Sequence, residues 1–266
     1  MTFMPALFVS HGAPTFALEP GKAGAQLTDL GRQLPTPAAI VVVSPHWMTR
    51  EVQVTATAHP ETIHDFGGFA RELYTIHYPA AGAPAVAART VQVLRAAGIE
   101  AELNDERGLD HGAWVPLLHM YPDAGIPVLQ VSLPAHYNEK QAYALGRALA
   151  PLAQEGVLVI GSGSLTHNLY EFRMGDVAEA DYAREFTLWV REAVQQGDTD
   201  RLIHALQQAP HAARAHPTTE HYLPLLVAAG AANNPVPATV LDGGIRHGVL
   251  AMESYVFGHA LTPAQG

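Results

Sequence analysis

Three apolar runs in this chain end on or near a histidine: ALFVSHG with His11, AIVVVSPHW with His46 and VLVIGSGSLTHN with His167. Imidazole is the side chain that both ligates first-row metals through a neutral ring nitrogen and moves protons near neutral pH. The sequence holds 15 histidines, as many as Lys and Arg together, and no cysteine. Disulfides, thiolate nucleophiles, iron–sulfur clusters and Cys-type zinc sites are thereby excluded, so a metal must sit on nitrogen and oxygen. A single strand ending on a histidine is explained by a loop hydrogen bond, whereas three ask for a shared site. His59, His77, His204, His211 and His259 read as surface residues standing in for Lys.

Other segments carry chemistry of the same kind. In LDHGAWVPL, Asp110 is placed to accept a proton from His111 and fix its tautomer, or else to cap a helix running from Ala113. AHPTTEHYLPL offers His216, Glu220 and His221, and Pro224 puts the start of a helix near Leu223, leaving His221 at its mouth. His136 lies just ahead of another helical stretch and reads as a residue leading into it. HPE, His59 to Glu61, has the H-x-E spacing of a non-haem iron triad, but that triad usually sits on a β-barrel. GSGSLT resembles the start of a dinucleotide loop, with Thr166 where the third glycine belongs. H-E-x-x-H, the P-loop and G-x-S-x-G are all absent.

The elements that must position these residues alternate. ALFV, AIVVV, IEAEL, IPVLQVSL and VLVIGSG are apolar and β-rich, and segments such as PAVAARTVQVLRAAG and EKQAYALGRALAPLAQ between them show helical period. Strands apolar throughout are buried on both faces, which predicts an α/β domain with a central, mostly parallel sheet flanked by helices. Ligands of such sheets gather beyond the carboxyl ends of the strands, where His11, His46 and His167 converge. Further helical stretches (DYAREFTLWVREAVQQG, TDRLIHALQQA), a Pro/His-rich loop at 210–217 and strand-like PATVL and LAMESYVFG complete the pattern. No linker or repeat divides it, so residues 1–266 are expected to form one catalytic domain.

A hydrophobic fraction of 48% supports a packed core, and a net charge of −10 opposes binding to a phosphate backbone. No apolar run approaches the roughly 18 residues of a membrane span, and no basic leader precedes the first one. The expectation is a cytoplasmic protein, a monomer or small homo-oligomer, without nucleic-acid or membrane partners.

SHGAP, SPHW, DFGGFARELYTIHYPAAGAP, DHGAWVPL, GSGSLTHN and HPTTEHYLPLLVAAGAA, taken in order, resemble the DODA-type extradiol aromatic ring-opening dioxygenases of the class III superfamily. The resemblance spans nearly the whole chain. It implies a non-haem Fe(II) held by His11, His46 and a third ligand from TEHYLPL. That ligand is a glutamate in the wider superfamily. Alignment of the helix puts His221 there, a departure that keeps the adjacent Glu220 as rival. It also implies His167 as general acid/base and His111 beside the substrate.

The implied reaction is ring cleavage of a catechol with O2, giving a semialdehyde. Trp47, Tyr74 and Phe69 are candidates to line an aromatic-sized pocket. Arg50, Arg71 and Arg246 are candidates to meet a substrate carboxylate. Two alternatives share the ligand set: a zinc hydrolase, and a metal-binding relative without turnover.

Overall fold

In the computed structural model, residues 3–175, 177–232 and 238–259 are described. The apolar runs become strands β1 (Ala6–Ser10), β2 (Ala39–Thr49), β3 (Val52–Thr55), β4 (Ala101–Asn104), β5 (Val128–Pro134) and β6 (Val157–Gly163). Short strands follow: β7 (Thr239–Leu241), β8 (Ile245–Arg246), β9 (Leu250–Ala251) and β10 (Ser254–Phe257). Eight of them form one sheet in the order β4-β3-β5-β2-β6-β1-β10-β7, and β8 pairs with β9. The central β5, β2, β6 and β1 run parallel, with antiparallel pairings towards both edges.

Helices α1 (Gly21–Gln33) and α3 (His111–Met120) cover one face. The other is covered by α2 (Pro84–Ala96), α4 (Glu139–Leu149), α5 (Asp181–Gln196) and α9 (Leu223–Ala231), with short α6 (Thr199–Ile203), α7 (Ala205–Gln208) and α8 (Ala212–Ala215) between the last two. Strand alternation divides the core. Leu7, Val9, Ile40 and Val42 pack with Leu27, Leu30 and Trp114, while Phe8, Val41 and Val43 pack with Leu94, Leu145, Phe186 and Leu226. Each such side chain taken from water contributes roughly 1.5–3 kcal/mol before conformational entropy is subtracted. No helix among the described residues is long and apolar enough to cross a membrane.

Helix α9 is buried along LPLLVAAGA, as expected for a helix apolar all round. It lies directly on β6, because a Cβ on Gly161 would collide with the Pro224 carbonyl and one on Gly163 with the His221 carbonyl. The two glycines therefore set how closely His221 approaches the sheet.

Several boundaries differ from those read in the sequence. His46 lies inside β2, not beyond it. Between Val43 and Met48, five residue steps of β2 stand against two of β5, from Val131 to Leu133, and this bulge turns Ser44 and His46 towards the site. The neighbouring β3 was not anticipated. Helix α3 starts at His111, two residues before Ala113. TDRLIHALQQA breaks at His204 into α6 and α7, the loop at 210–217 contains α8, and Pro237 of PATVL lies outside the described residues.

Candidate metal centre

His11 follows β1, and its backbone N–H donates to Gly163 at the end of β6 (2.9 Å). His46 comes from the bulge in β2 and His221 from the approach to α9. Their ring centroids stand 5.0, 5.5 and 5.1 Å apart for the pairs 11–46, 11–221 and 46–221. One nitrogen from each falls within 4.8 Å of the other two.

Hydrogen bonds fix which nitrogens face inward. Ser162 Oγ spends its one proton on the Gly112 carbonyl, so at 3.1 Å it accepts from Nδ1 of His11. Nε2 of His11 is then a bare lone pair. Nδ1 of His46 faces the Asp65 carboxylate (3.5 Å) and Nδ1 of His221 faces Glu220 (3.2 Å), which leaves their Nε2 atoms bare as well. His221 Nε2 is buried without a hydrogen-bond partner, and the Nε2 atoms of His11 and His46 confront each other at 3.1 Å. Lone pairs converging in this way repel unless a cation lies among them, and three imidazole nitrogens suit a first-row divalent ion. Burial pushes the pKa of His11 and His221 well down and that of His46 down to about 3, so all three rings are neutral at pH 7, the form that ligates.

Two further histidines border the cluster. His167 stacks on His221, with centroids 3.5 Å apart and planes at 8°, and burial lowers its pKa. His111 stands 4.0 Å from the His46 ring. Its carboxylate partner is Asp65: one oxygen accepts the His111 backbone N–H and the other its Nδ1–H, both at 2.9 Å. Burial raises the Asp65 pKa, but these bonds outweigh it and hold the carboxyl down to about 2.

The expected pairing of Asp110 with His111 is thus corrected. Asp110 is fully buried and turned towards the sheet, where it accepts from Ser44 Oγ (2.9 Å) and Gln130 Nε2 (2.7 Å). It makes no side-chain cap of α3 either. Burial raises its pKa, and its place is to tie β2, β5 and the start of α3 together behind the site.

Above the histidines lies a cavity of about 300 Å³, within the range of small-molecule sites. His11, His46, His111, His167 and His221 form its polar wall, and Phe66, Phe69, Leu169 and Phe172 its apolar one. Trp47 and Tyr74 do not line it. With His46 turned inward the next residue along the strand turns out, and Trp47 packs beneath the Arg107 guanidinium (5.5 Å). Tyr74 stands behind Phe66, at 5.2 Å between rings, 37% exposed. Arg50, Arg71 and Arg246 are also absent from its wall, as are His59 and Glu61. Of the histidines read as surface residues, His59, His77 and His211 are exposed, while His204 and His259 are half-buried.

The family described as the catalytic LigB subunit of aromatic ring-opening dioxygenase matches residues 5–264. The chain belongs to this family. Among its LigB-family relatives, a 4,5-DOPA dioxygenase extradiol from Escherichia coli (strain K12) is 42% identical over 262 residues, covering 97% of this chain and 96% of the relative. A 4,5-DOPA dioxygenase extradiol from Beta vulgaris is 39% identical over 94% of this chain and 95% of its own. A crystal structure of an uncharacterized protein from Escherichia coli K12 superposes with a TM-score of 0.78 at 36% identity, over 96% of this chain and all of that one. The LigB-family chain is an extradiol ring-cleaving dioxygenase, which displaces the hydrolase and non-catalytic alternatives.

Sequence reasoning missed Asp65, Ser162, Phe66, Leu169 and Phe172. Asp65 had a signal, a carboxylate beside a Gly-Gly turn in HDFGG, but nothing in the sequence ties it to a histidine 46 positions away.

Proposed function

We propose that this chain cleaves a catechol-type ring beside its two hydroxyl-bearing carbons, using O2 and a ferrous ion held by His11, His46 and His221. The observation that carries the reading is the inward turn of three bare imidazole Nε2 atoms at the floor of an apolar cavity sized for a small aromatic molecule. A ferrous ion there would be held by His11, His46 and His221, and would supply the electronic coupling that lets triplet dioxygen react with a singlet diphenol.

The chain's own residues supply the rest. His167, neutral because burial lowers its pKa, accepts a phenolic proton at its ring nitrogen and returns it as the ring opens. His111, with Nδ1–H committed to Asp65, presents Nε2 to the cavity as an acceptor for a substrate hydroxyl. Phe66 and Phe69 close an apolar wall that excludes water. Glu220 accepts from Thr218 and faces His221 Nδ1, which makes it the residue orienting the ligand and His221 the ligand itself. Both oxygen atoms end in a ring-opened semialdehyde. The relatives' names support a substituted diphenol such as DOPA among the substrates.

The test is to load the protein with ferrous iron anaerobically, then admit oxygen and a catechol. A yellow product is expected, and His11→Ala or His46→Ala should abolish both metal retention and colour. Unchanged turnover in either variant would overturn the ligand assignment.

A further inference from the structure

Of the three proposed ligands, His46 is the one carried within a strand, and it sits where that strand loses register. Val43 pairs with Val131 of β5 and with Gly161 of β6, and the next registered pair is Met48 with Leu133. Ser44, Pro45, His46 and Trp47 have no registered partner in either neighbouring strand. Side chains alternate along a strand, so a slip of one residue here would put Trp47 where His46 now faces the cavity.

Two side chains hold the main chain of His46. Its N–H donates to Ser44 Oγ at 3.2 Å, and its carbonyl accepts from Arg107 Nη2 at 3.0 Å. Ser44 Oγ in turn donates to one carboxylate oxygen of Asp110 at 2.9 Å, and the other oxygen stands 3.5 Å from the same Arg107 nitrogen. These contacts close a circuit around one residue, from the His46 carbonyl through Arg107, Asp110 and Ser44 back to the His46 N–H. The guanidinium also covers the outward-facing Trp47, 5.5 Å from its ring centre.

Arg107 is itself anchored. Its backbone N–H donates to Asn104 Oδ1 at 2.8 Å, at the end of β4, and Asn104 Nδ2 donates to the Gln53 side chain of β3 at 2.8 Å. The Arg107 side chain is 24% exposed and that of Asp110 fully buried, so salt screens this pair less than a surface one. A planar guanidinium can donate to a carbonyl, face a carboxylate and lie over an indole at once, whereas an ammonium is a point charge.

We propose that Arg107 is a positioning residue for the metal: through the His46 carbonyl, Trp47 and Asp110 it holds the β2 bulge in the register that turns the His46 imidazole into the ligand set. The inference rests on the proposed ligands His11, His46 and His221. Arg107 is absent from the cavity wall, so its effect reaches the metal through His46.

The test uses cobalt(II) on the whole chain, because its visible bands report the donors and geometry around it. Affinity is measured by competition with a chelator, at a temperature where unfolding curves show each variant folded. Arg107→Met keeps an apolar stem over Trp47 and donates nothing. Its cobalt affinity should fall by about 10–100-fold, and its visible bands at saturation should differ from those of the unmodified chain. Arg107→Lys keeps the charge without the planar fork, should lose less, and decides the question if Arg107→Met does not fold.

A lower unfolding midpoint with affinity and bands unchanged overturns the inference and leaves Arg107 a residue of the fold alone. An unmodified chain that fails to bind cobalt stoichiometrically overturns the ligand assignment instead, and the inference falls with it.

Discussion

Asp65 grips His111 at two points, accepting both its backbone N–H and its Nδ1–H at 2.9 Å, although the residues lie 46 positions apart. The same carboxylate faces His46 Nδ1 at 3.5 Å, and its side chain is only 19% exposed. One loop residue therefore fixes the tautomer and orientation of His111 and lies beside the ring of a proposed ligand.

Asp65→Asn should lower kcat/KM by about 10–100-fold, because an amide, with one acceptor oxygen, cannot accept both the backbone N–H and the Nδ1–H of His111. Steady-state kinetics on diphenol decide it. Asp110→Asn should act mainly on stability, costing about 1–3 kcal/mol in chemical denaturation, since an amide N–H would meet the donors of Ser44 or Gln130.

Ser162→Ala removes the acceptor for His11 Nδ1 and frees the ring to adopt the other tautomer. Metal affinity is expected to fall by about 10–100-fold, read by competition with a chelator. An unchanged affinity would show that packing alone holds His11.

His221 and Glu220 separate by substitution. His221→Ala should lose stoichiometric metal, whereas Glu220→Gln should retain it with affinity reduced by about tenfold, as for a residue that orients a ligand. Metal analysis after gel filtration gives the answer, and the opposite pattern makes Glu220 the ligand.

Gly163→Ala would push a methyl group into the His221 carbonyl. Overpacking of this kind costs about 1–3 kcal/mol. Thermal unfolding of the metal-free protein should show that loss, and metal affinity should fall with it because His221 is displaced.

His216 gives a pH dependence that lies off the proposed ligand set. It is buried, Nε2–H donates to the Leu165 carbonyl, and burial lowers its pKa from 6.5 to about 4 against the smaller opposite effect of that bond. Between those values the unfolded chain binds a proton that the folded one refuses. Its contribution is therefore complete above pH 6.5 and is lost as pH falls towards 4, by up to roughly 3 kcal/mol. Denaturation of the metal-free protein across that range should show a shallower slope for His216→Gln.

Much of this protein was legible in its residues. Runs such as AIVVV and VLVIG, apolar at every position, can only be strands covered on both faces, so the α/β sheet and the gathering of His11, His46 and His167 near its strand ends followed from local composition. The order of motifs along the chain likewise pointed to the family. Side-chain direction was another matter. Whether Trp47 or His46 faces the cavity depends on a bulge in β2. Whether Asp65 or Asp110 meets His111 depends on where a distant loop folds back, and the aromatic wall comes from Phe66, Phe69 and Phe172 because two loops close over one sheet edge. These are long-range contacts, fixed by packing between segments that carry no local pattern of their own, and only the tertiary structure decides them.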